Sequence, residues 1–476
     1  MHYPRNMVGY GEQPPNPSWP QNANIAVQFV VNYEEGAENC ILHGDQSSEA
    51  FLSEIVGASP WHNQRHWNME SIYEYGARSG FWRLYRIFTE SQIPVTVFGV
   101  ANALARSPEQ VIAMKNAKWE IASHGLKWID YKDATPTQEK SDLLEAKRIH
   151  KFVTGSTPTG WYVGRCSINT VEIATHHGNF EYISDAYDDD LPYWKSIGRK
   201  SQLIIPYTLD ANDMRFATAQ GFNTGSQFYD YLKDTFDLLL LEGRNGSPKM
   251  MNIGLHCRLA GRPGRANAIQ RFIDYISDFP DVWITRRIDI AHHWKKYHPP
   301  IKPSIVPFEL NKIDFISQFG NIFENSPWIA ERAFNKEVSP SMNTVIGLHA
   351  ALCFQFRAAS KEERLQVLRE HPDLAGKLAT ANQLTEESSR EQKSAGLDRL
   401  SKTELKEFTN LNSKYTEKFK HPFIMAVSGK DRTEILKGFY NRIDNEPEKE
   451  IKTASEEVEK IALIRIKQIL KTEKDC

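Results

Sequence analysis

A proline-rich segment divides the sequence into two parts with different hydrophobic patterns. Residues 298–308, HPPIKPSIVPF, carry prolines at positions 299, 300, 303 and 307. Proline has no amide hydrogen and a fixed φ, so a segment this rich in proline cannot form a regular helix and is typical of a linker. Of the eleven tryptophans, only Trp328 follows the segment. We therefore expect one domain over residues 1–300, a linker over 301–307 and a second domain over 308–476.

Before the linker, short apolar runs alternate with segments of helical spacing. The runs are residues 25–31, 93–100, 119–124, 203–208, 250–256 and 282–287, and helical spacing occupies residues 74–91 and 107–117. This alternation predicts a parallel sheet, either closed as a barrel or doubly wound. Candidate polar residues follow the ends of the predicted strands, which is where the active sites of α/β barrels lie.

After the linker, the spacing of apolar residues is helical throughout. It recurs in residues 311–323, 341–356, 361–371, 401–419, 432–443 and 456–470. The pattern predicts an all-α bundle of about six to eight helices with short connections.

Charge and composition argue against several classes of protein. The net charge of −2 gives no reason to expect nucleic acid or an anionic membrane as a partner. No apolar run approaches the ~20 residues of a membrane helix, and residues 1–20 lack a signal-peptide core. The five cysteines are far apart and form no CxxC pair, which argues against a zinc knuckle or a disulfide framework. We expect a cytoplasmic protein that forms a homo-oligomer.

Four segments before the linker carry side chains suited to catalysis. They are NYEEG (32–36) with Glu34 and Glu35, SHGLKW (123–128) with His124, GWYVGRCS (160–167) with Arg165, and LHCRLAGRPGR (255–265) with His256. Each segment alone is weak evidence, because an acidic pair is as often a solvated turn and a lone histidine is more often structural. Adjacent residues at a strand end point in different directions, so one glutamate can face a substrate while the other orients a partner.

In this order, the four segments resemble the motif series of the polysaccharide deacetylase (NodB-like) superfamily. Metal-dependent members use an Asp-Asp pair and then a His-x-x-x-His metal pair, whereas this sequence has Glu34-Glu35 and, four residues after His124, Trp128. Catalytic zinc generally needs three protein ligands, so the pattern predicts that the metal site has been lost. Residues 1–300 thereby resemble the cofactor-independent allantoinases, with further similar stretches at 183–194, 205–216 and 282–294. The resemblance implies a distorted (β/α) barrel of NodB type.

An allantoinase hydrolyses the cyclic amide of a hydantoin ring, which requires an activated water and a stabilised oxyanion. Without a metal, a carboxylate must accept the proton of the water. We assign Glu34 or Glu35 as this base, His124 and His256 as donors or proton shuttles, and Arg165 as the residue that polarises or positions the substrate. Candidate ureido-binding groups are Asp185, Tyr207, Asp210 and Asn212. No metal or other cofactor is expected.

The second part resembles the decarboxylases of 2-oxo-4-hydroxy-4-carboxy-5-ureidoimidazoline (OHCU) over about residues 306–471. The resemblance lies in HPDLAGK (371–377), ESSREQKSAGLDRL (387–400) and FKHPFIMAVSGKDRTEIL (419–436). It implies a catalytic pair, His371 and Glu391, in an all-α domain. The substrate-binding residues that it implies are Pro372, Ser388, Gln392, Phe423, Ile424, Met425, Ala426, Val427 and Arg465, with the backbone of 423–427 making the contacts there.

Two patterns in this part are independent of the resemblance. Ser388, Glu391 and Gln392 have the i, i+3, i+4 spacing of one helix face. Arg465 lies on the apolar stripe of the last predicted helix, with Val458 and Ile461. A buried guanidinium needs an anionic partner, which can be a core glutamate or a substrate carboxylate.

Together, the two resemblances imply consecutive steps of urate breakdown on small ureido substrates. OHCU is decarboxylated to (S)-allantoin, and allantoin is hydrolysed to allantoate. One alternative is a metal-dependent polysaccharide or peptidoglycan deacetylase fused to a helical interaction module, which should keep its metal ligands and an export signal. Another is a non-catalytic binding protein, which should have lost polar site residues generally.

The proline-rich linker predicts that the two parts fold independently. When residues 1–300 and 306–476 are expressed separately, we expect each to keep its own activity and a cooperative thermal transition. If neither half is active while the whole chain is, the two-domain interpretation is wrong.

Overall fold

We describe a computed structural model of the chain at residues 5–12, 14–197, 200–300, 305–336, 338–374, 397 and 400–470. The chain consists of two compact units. The larger spans Glu12–Pro300, and the smaller comprises Ile301–Cys476 together with Met1–Gly11.

The larger unit is built on one sheet, which has nine strands among the described residues. They are β1 (Ile25–Tyr33), β2 (Val95–Gly99), β3 (Glu120–Ser123), β4 (Gly160–Trp161), β5 (Tyr182–Ile183), β6 (Tyr193–Ile197), β7 (Lys200–Ile204), β8 (Lys249–His256) and β9 (Val282–Ile284). The order is β6-β7-β5-β4-β3-β2-β1-β8, and β9 also pairs with β1. Every pairing among these strands is parallel except that of β6 with β7, which is antiparallel.

Helices follow most strands and cover the sheet. They are α1 (Trp67–Tyr75), α2 (Phe81–Glu90), α3 (Ala101–Arg106), α4 (Pro108–Asn116), α5 (Pro136–Thr154), α6 (Thr170–His177), α7 (Gly225–Arg244), α8 (Pro263–Ser277) and α9 (Arg287–Tyr297). All nine residues of β1 are buried, as expected for an apolar strand in the middle of a covered parallel sheet.

The sheet curls so that the chain after β7 meets β8. An isolated parallel bridge pairs Asn212 with Gly254. The fully buried guanidinium of Arg287 donates to the Ser184 hydroxyl (2.9 Å), the Pro206 carbonyl (2.9 Å) and the Asn252 side chain. This side chain links the residue after β5 with the segment after β7, and it also links both of them with β8 across the interior. The expected distorted (β/α) barrel is confirmed, and the carboxyl ends of its parallel strands meet at one edge.

The smaller unit is all-α in its described part, which confirms the predicted fold class. Its helices are α10 (Lys312–Phe319), α11 (Pro327–Lys336), α12 (Val345–Ala358), α13 (Lys361–Glu370), α14 (Lys402–Phe419), α15 (Arg432–Ile443) and α16 (Pro447–Ile469). One apolar cluster joins α10–α13 with α16, and a second joins α14 with α15. Among the described residues of the whole chain, none of the helices has the length and apolar character needed to span a bilayer.

Candidate active sites

The carboxylate of Glu34 lies between two imidazole rings. Its Oε1 is 3.3 Å from Nε2 of His124 and 3.4 Å from Nε2 of His256. Glu34 follows β1, His124 follows β3, and His256 ends β8, so parallel strands deliver all three side chains to the same edge of the barrel. Each is less than 5% exposed. The structure therefore brings together three of the residues that the sequence singles out.

Arg258 completes this cluster. Its Nη2 is 2.7 Å from Oε2 of Glu34, and its Nη1 is 3.6 Å from Oε1 of Glu35. Its Nε donates to the carbonyl of Leu52 at 2.8 Å. The side chain is fully buried, and a guanidinium tolerates such burial because two carboxylates compensate its charge.

Glu35 has a different environment from its neighbour. Its two oxygens accept the backbone amides of Glu34 and Arg258, each at 3.1 Å. A Cβ atom at Gly76 would lie 2.5 Å from Oε1 of Glu35, so this carboxylate packs directly on a helical backbone. Glu35 is thus held against the protein, whereas Glu34 faces both histidines.

The electrostatic environments of the two glutamates also differ. Burial favours the neutral form of Glu34, but Arg258, His256 and His124 together hold its pKa well below the ordinary value. Burial raises the pKa of Glu35, with Arg258 opposing the shift and the charge of Glu34 adding to it. Glu34 is therefore the carboxylate that stays ionised.

A buried aspartate supports His256 from behind. Oδ1 of Asp213 is 2.6 Å from Nδ1 of His256, and Oδ2 accepts the backbone amides of His256 (2.7 Å) and Ala260 (2.8 Å). Burial lowers the pKa of His256, but Glu34 and Asp213 outweigh it and raise the pKa to about 9. At neutral pH, His256 is therefore an imidazolium that can donate from both nitrogens.

Aromatic rings surround the cluster. The ring of Tyr162 lies 4.9 Å from those of both His124 and Tyr207. Asn32 donates to the hydroxyl of Tyr207 at 2.9 Å. Within the described ranges, the buried atoms Asn32 Oδ1, His124 Nδ1 and Arg258 Nη1 have no hydrogen-bond partner. The edge of the barrel therefore offers both donors and acceptors to a ligand.

Arg165 and Asp185 lie in or against the loop after β4. The guanidinium of Arg165 stacks 3.8 Å from the ring of Trp128 and pairs with Glu49 at 3.3 Å. Asp185 accepts the backbone amides of Val163 and Gly164 at 2.9 Å, and burial raises its pKa to about 6. Both residues shape this loop, and their contacts with substrate stay a prediction.

Asp210 and Asn212 make contacts mainly within their own loop. Asp210 is exposed and accepts the hydroxyls of Thr208 (2.7 Å) and Tyr231 (2.9 Å). Asn212 bonds to the Thr208 carbonyl and to the amide of Met214. The structure does not bring either side chain into the Glu34 cluster by any hydrogen bond among the described residues, and their binding role stays a prediction.

The candidate site of the smaller unit contains a neutral histidine. Nδ1 of His371 is 2.8 Å from the carbonyl oxygen of Val367. A carbonyl can only accept, so Nδ1 carries the hydrogen and Nε2 keeps its lone pair. Burial lowers the pKa of His371 to about 4; Arg465 adds to the shift and Glu324 opposes it. Pro372 is half-buried beside it.

Arg465 is buried, as its place on the apolar stripe predicts. Its Nη2 is 2.8 Å from Oε2 of Glu324, and its Nη1 donates to the carbonyl of Asn321 at 3.2 Å. Both charged side chains are at most 3% exposed. A core glutamate is thus a partner of this arginine, and its contact with a substrate carboxylate stays a prediction.

The segment 423–427 is fixed by two side chains that the sequence did not single out. Glu457 accepts the amide of Ala426 at 2.8 Å, and Arg442 donates to the carbonyl of Ile424 at 2.7 Å. The ring of Phe423 stacks on that of Phe439 with centroids 3.8 Å apart. The backbone of Met425 and Val427 completes the predicted binding segment, whereas Ser388, Glu391 and Gln392 lie outside the described residues.

Comparison with known proteins decides the family. The polysaccharide deacetylase model matches residues 69–178, and the OHCU decarboxylase model matches residues 309–467. A putative polysaccharide deacetylase of Schizosaccharomyces pombe is 40% identical over 319 residues, which cover 63% of this chain and 99% of that protein. The OHCU decarboxylase of Halalkalicoccus jeotgali is 37% identical over 164 residues, 34% of this chain and 89% of the relative. The chain belongs to both families.

A solved structure resembles the deacetylase-family unit closely. The crystal structure of Puue allantoinase is 53% identical, with a TM-score of 0.62, and covers 63% of this chain and all of that one.

The deacetylase-family unit does not fit the divalent metal of its metal-dependent relatives. Where they carry the second histidine, this unit has Trp128, which is 3% exposed. The guanidiniums of Arg165 and Arg258 lie 3.8 and 5.1 Å from its ring centroid. In the described part of the chain, no three His, Cys, Asp or Glu side chains are arranged to hold an ion. The described residues therefore lack a complete set of metal ligands, and two arginine guanidiniums lie beside Trp128.

Sequence reasoning missed Arg258 and Asp213. Arg258 lies two residues after His256 in a segment already chosen for that histidine, and Asp213 directly follows Asn212. An arginine near a strand-end histidine, and an acid in a loop expected at the same edge, were the available signals.

Proposed function

We propose that this chain catalyses two consecutive steps of urate breakdown. The OHCU decarboxylase unit converts OHCU to (S)-allantoin, and the deacetylase-family unit hydrolyses the hydantoin ring of allantoin to give allantoate. The observation that carries the hydrolytic step is the position of the Glu34 carboxylate between two imidazoles, one of which is also bonded to Asp213. We also propose a cytoplasmic homo-oligomer, which sedimentation of the purified protein and cell fractionation would test.

In the hydrolytic step, Glu34 is the general base. It accepts a proton from the water that attacks the ring carbonyl, and the carbon–oxygen bond forms as the carbonyl becomes an oxyanion. The imidazolium of His256 donates to the developing negative charge. The oxyanion then collapses, the ring carbon–nitrogen bond breaks, and the leaving nitrogen takes up the proton that Glu34 received from the water. Glu35 is not assigned as the base, because both of its oxygens already accept backbone amides.

A ureido compound suits the buried polar groups of this edge. Leaving a buried donor or acceptor unpaired costs about 1–3 kcal/mol. Asn32 Oδ1 can accept, and His124 Nδ1 can donate or accept according to its tautomer. Ureido groups carry both N–H donors and carbonyl acceptors, so allantoin can pair with both atoms.

We expect hydrolysis of allantoin to be insensitive to metal chelators. The residues at the metal positions of the family are Glu34, Glu35, His124 and Trp128, and they do not form a three-ligand site. Allantoate formation should proceed at the same rate before and after dialysis against EDTA or dipicolinate, and elemental analysis should find no stoichiometric metal. Chelator-sensitive activity restored by zinc or manganese would return the unit to the metal-dependent deacetylases.

The alkaline limb of the pH–rate profile for hydrolysis should follow the deprotonation of His256. Its pKa is raised to about 9, so the protonated donor is lost as the pH rises through that value, and kcat should fall there. Asp213→Asn removes a charge that raises this pKa, and the limb should therefore move to lower pH. The exposed Asp234→Asn serves as the control and should leave the profile unchanged. An unshifted limb in Asp213→Asn would argue against His256 as the donor.

Decarboxylation requires no cofactor. The electron pair left by CO₂ delocalises into the neighbouring C=N and C=O of the ring, and protonation of one face gives the (S) product. His371 is neutral at physiological pH and keeps a lone pair on Nε2, so it can exchange a proton with the substrate. By family resemblance Glu391 is its catalytic partner, and Arg465 with residues 423–427 binds the substrate.

A further inference from the structure

We propose that Arg258 takes the place of the divalent cation of the metal-dependent relatives and positions Glu34 between His124 and His256. The proposal rests on the hydrolytic function proposed above. Arg258 is a positioning residue here, because it acts on the reaction through the carboxylate of Glu34.

The two carboxylate oxygens of Glu34 have different partners. Oε2 is held by Nη2 of Arg258 at 2.7 Å, and Oε1 is the atom that lies near both imidazoles. A carboxylate with one oxygen fixed has little freedom to rotate. The bond to Arg258 therefore sets the direction in which the other oxygen points.

The guanidinium of Arg258 is itself held by several contacts. The Nε atom of Arg258 donates to the Leu52 carbonyl at 2.8 Å, and the backbone amide of Arg258 donates to Glu35 at 3.1 Å. Its centre lies 4.4 Å from the ring of Tyr73 and 5.1 Å from that of Trp128. The planar fork uses separate nitrogens for the Leu52 carbonyl and Glu34, a geometry that a lysine ammonium cannot reproduce.

Arg258 also compensates the negative charge of the two glutamates. Glu34 and Glu35 are adjacent and buried, and two carboxylates this close disfavour ionisation of one another. A fixed positive charge beside the pair reduces this cost. Here the cation nearest both glutamates is Arg258, with Nη atoms 2.7 and 3.6 Å from them, and it lies beside the tryptophan that replaces a metal-binding histidine.

The test compares Arg258→Ala and Arg258→Lys with Arg265→Ala in the full-length chain. Arg265 follows the same loop, pairs with the partly exposed Glu54 at 2.6 Å and is not part of the cluster. We expect Arg258→Ala to lower kcat for allantoin hydrolysis at least about 100-fold, with KM changed only a few-fold, because the lost interaction acts in the transition state. Added guanidinium ion should restore part of kcat. Arg258→Lys should also be impaired in kcat, and Arg265→Ala should match the wild type.

A measurement without substrate keeps the test decisive if one variant folds poorly. The ¹⁵N resonances of the His124 and His256 rings should shift in Arg258→Lys and stay unchanged in Arg265→Ala. A cooperative thermal transition of the deacetylase-family unit monitors the folding of each variant. Wild-type kcat in Arg258→Lys, or unshifted imidazole resonances in that variant, would overturn the proposal. Absence of allantoin hydrolysis in the wild-type protein would instead overturn the proposed function.

Discussion

Glu34→Gln is expected to lower kcat for allantoin hydrolysis by about 10²–10⁴-fold, the usual contribution of a positioned general base. Glutamine keeps the shape of the side chain but cannot accept the proton of the attacking water. The rate of allantoate formation measures this loss. Decarboxylation by the same chain should be unaffected, because the residues assigned to it belong to the other unit.

Two matched variants make the Glu34 result specific. Glu54→Gln changes a partly exposed glutamate that pairs with Arg265, and it should keep full activity. Glu35→Gln places an amide group where both carboxylate oxygens accept backbone N–H groups, so its main effect should be a loss of stability of about 1–3 kcal/mol. If Glu34→Gln is fully active and Glu35→Gln folds well but is inactive, the general base is Glu35 and not Glu34.

His371→Ala is expected to abolish enzymatic formation of (S)-allantoin and to leave allantoin hydrolysis intact. The variant removes the buried imidazole whose Nε2 lone pair is available to the substrate. A loss of about 10²–10⁴-fold is expected for a proton-exchanging group. Consumption of OHCU, followed by absorbance and circular dichroism, measures the effect.

The control for this variant is a second histidine of the same unit. His349 is half-buried and bonds to the carbonyl of Glu459 at 2.9 Å, so His349→Gln should keep decarboxylase activity. Glu391→Ala should behave like His371→Ala. If His371→Ala forms (S)-allantoin at the wild-type rate, the assignment of this site is wrong.

The apolar runs of the sequence predicted β1, β2, β3, β7, β8 and β9, although β7 starts before the run at 203–208 and ends within it, and β9 ends before residue 287. β1 and β8 carry almost continuous apolar residues and are buried along nearly their whole length. β4 and β5 were missed because each has only two residues, too few for a pattern. β6 was missed because its residues, YWKSI, are partly or fully exposed. The predicted helix over 74–91 is interrupted by a π-helical turn at Gly76–Gly80, where Gly76 packs on Glu35.

Local sequence located the catalytic candidates but not their partners. Glu34, His124 and His256 each follow or end a predicted strand, so a general rule of barrel architecture identified them. Arg258 pairs with Glu34 across 224 positions, and Asp213 pairs with His256 across 43. Contacts at such separations depend on how the sheet curls, which a single sequence does not encode in its periodicity.

In the smaller unit, too, the sequence identified a residue but not its partner. The apolar stripe of α16 correctly predicted that Arg465 is buried, but it left the anion open, and Glu324 is one partner in the structure. The backbone of 423–427 was predicted to bind substrate, yet the amide of Ala426 is already bonded to Glu457. The remaining backbone groups of this segment are the ones still proposed to bind the substrate.

We expect one chain to form (S)-allantoin and then to hydrolyse it. Allantoin has one stereocentre, whereas in allantoate the same carbon carries two identical ureido groups and is achiral. Circular dichroism during consumption of OHCU therefore follows both steps. We expect Glu34→Gln to accumulate a lasting dichroic signal, while the wild-type protein ends with no signal and with allantoate equal to the OHCU consumed. Two results would contradict this expectation. One is a wild-type reaction that stops at allantoin, and the other is the absence of a dichroic product with both the wild-type protein and Glu34→Gln.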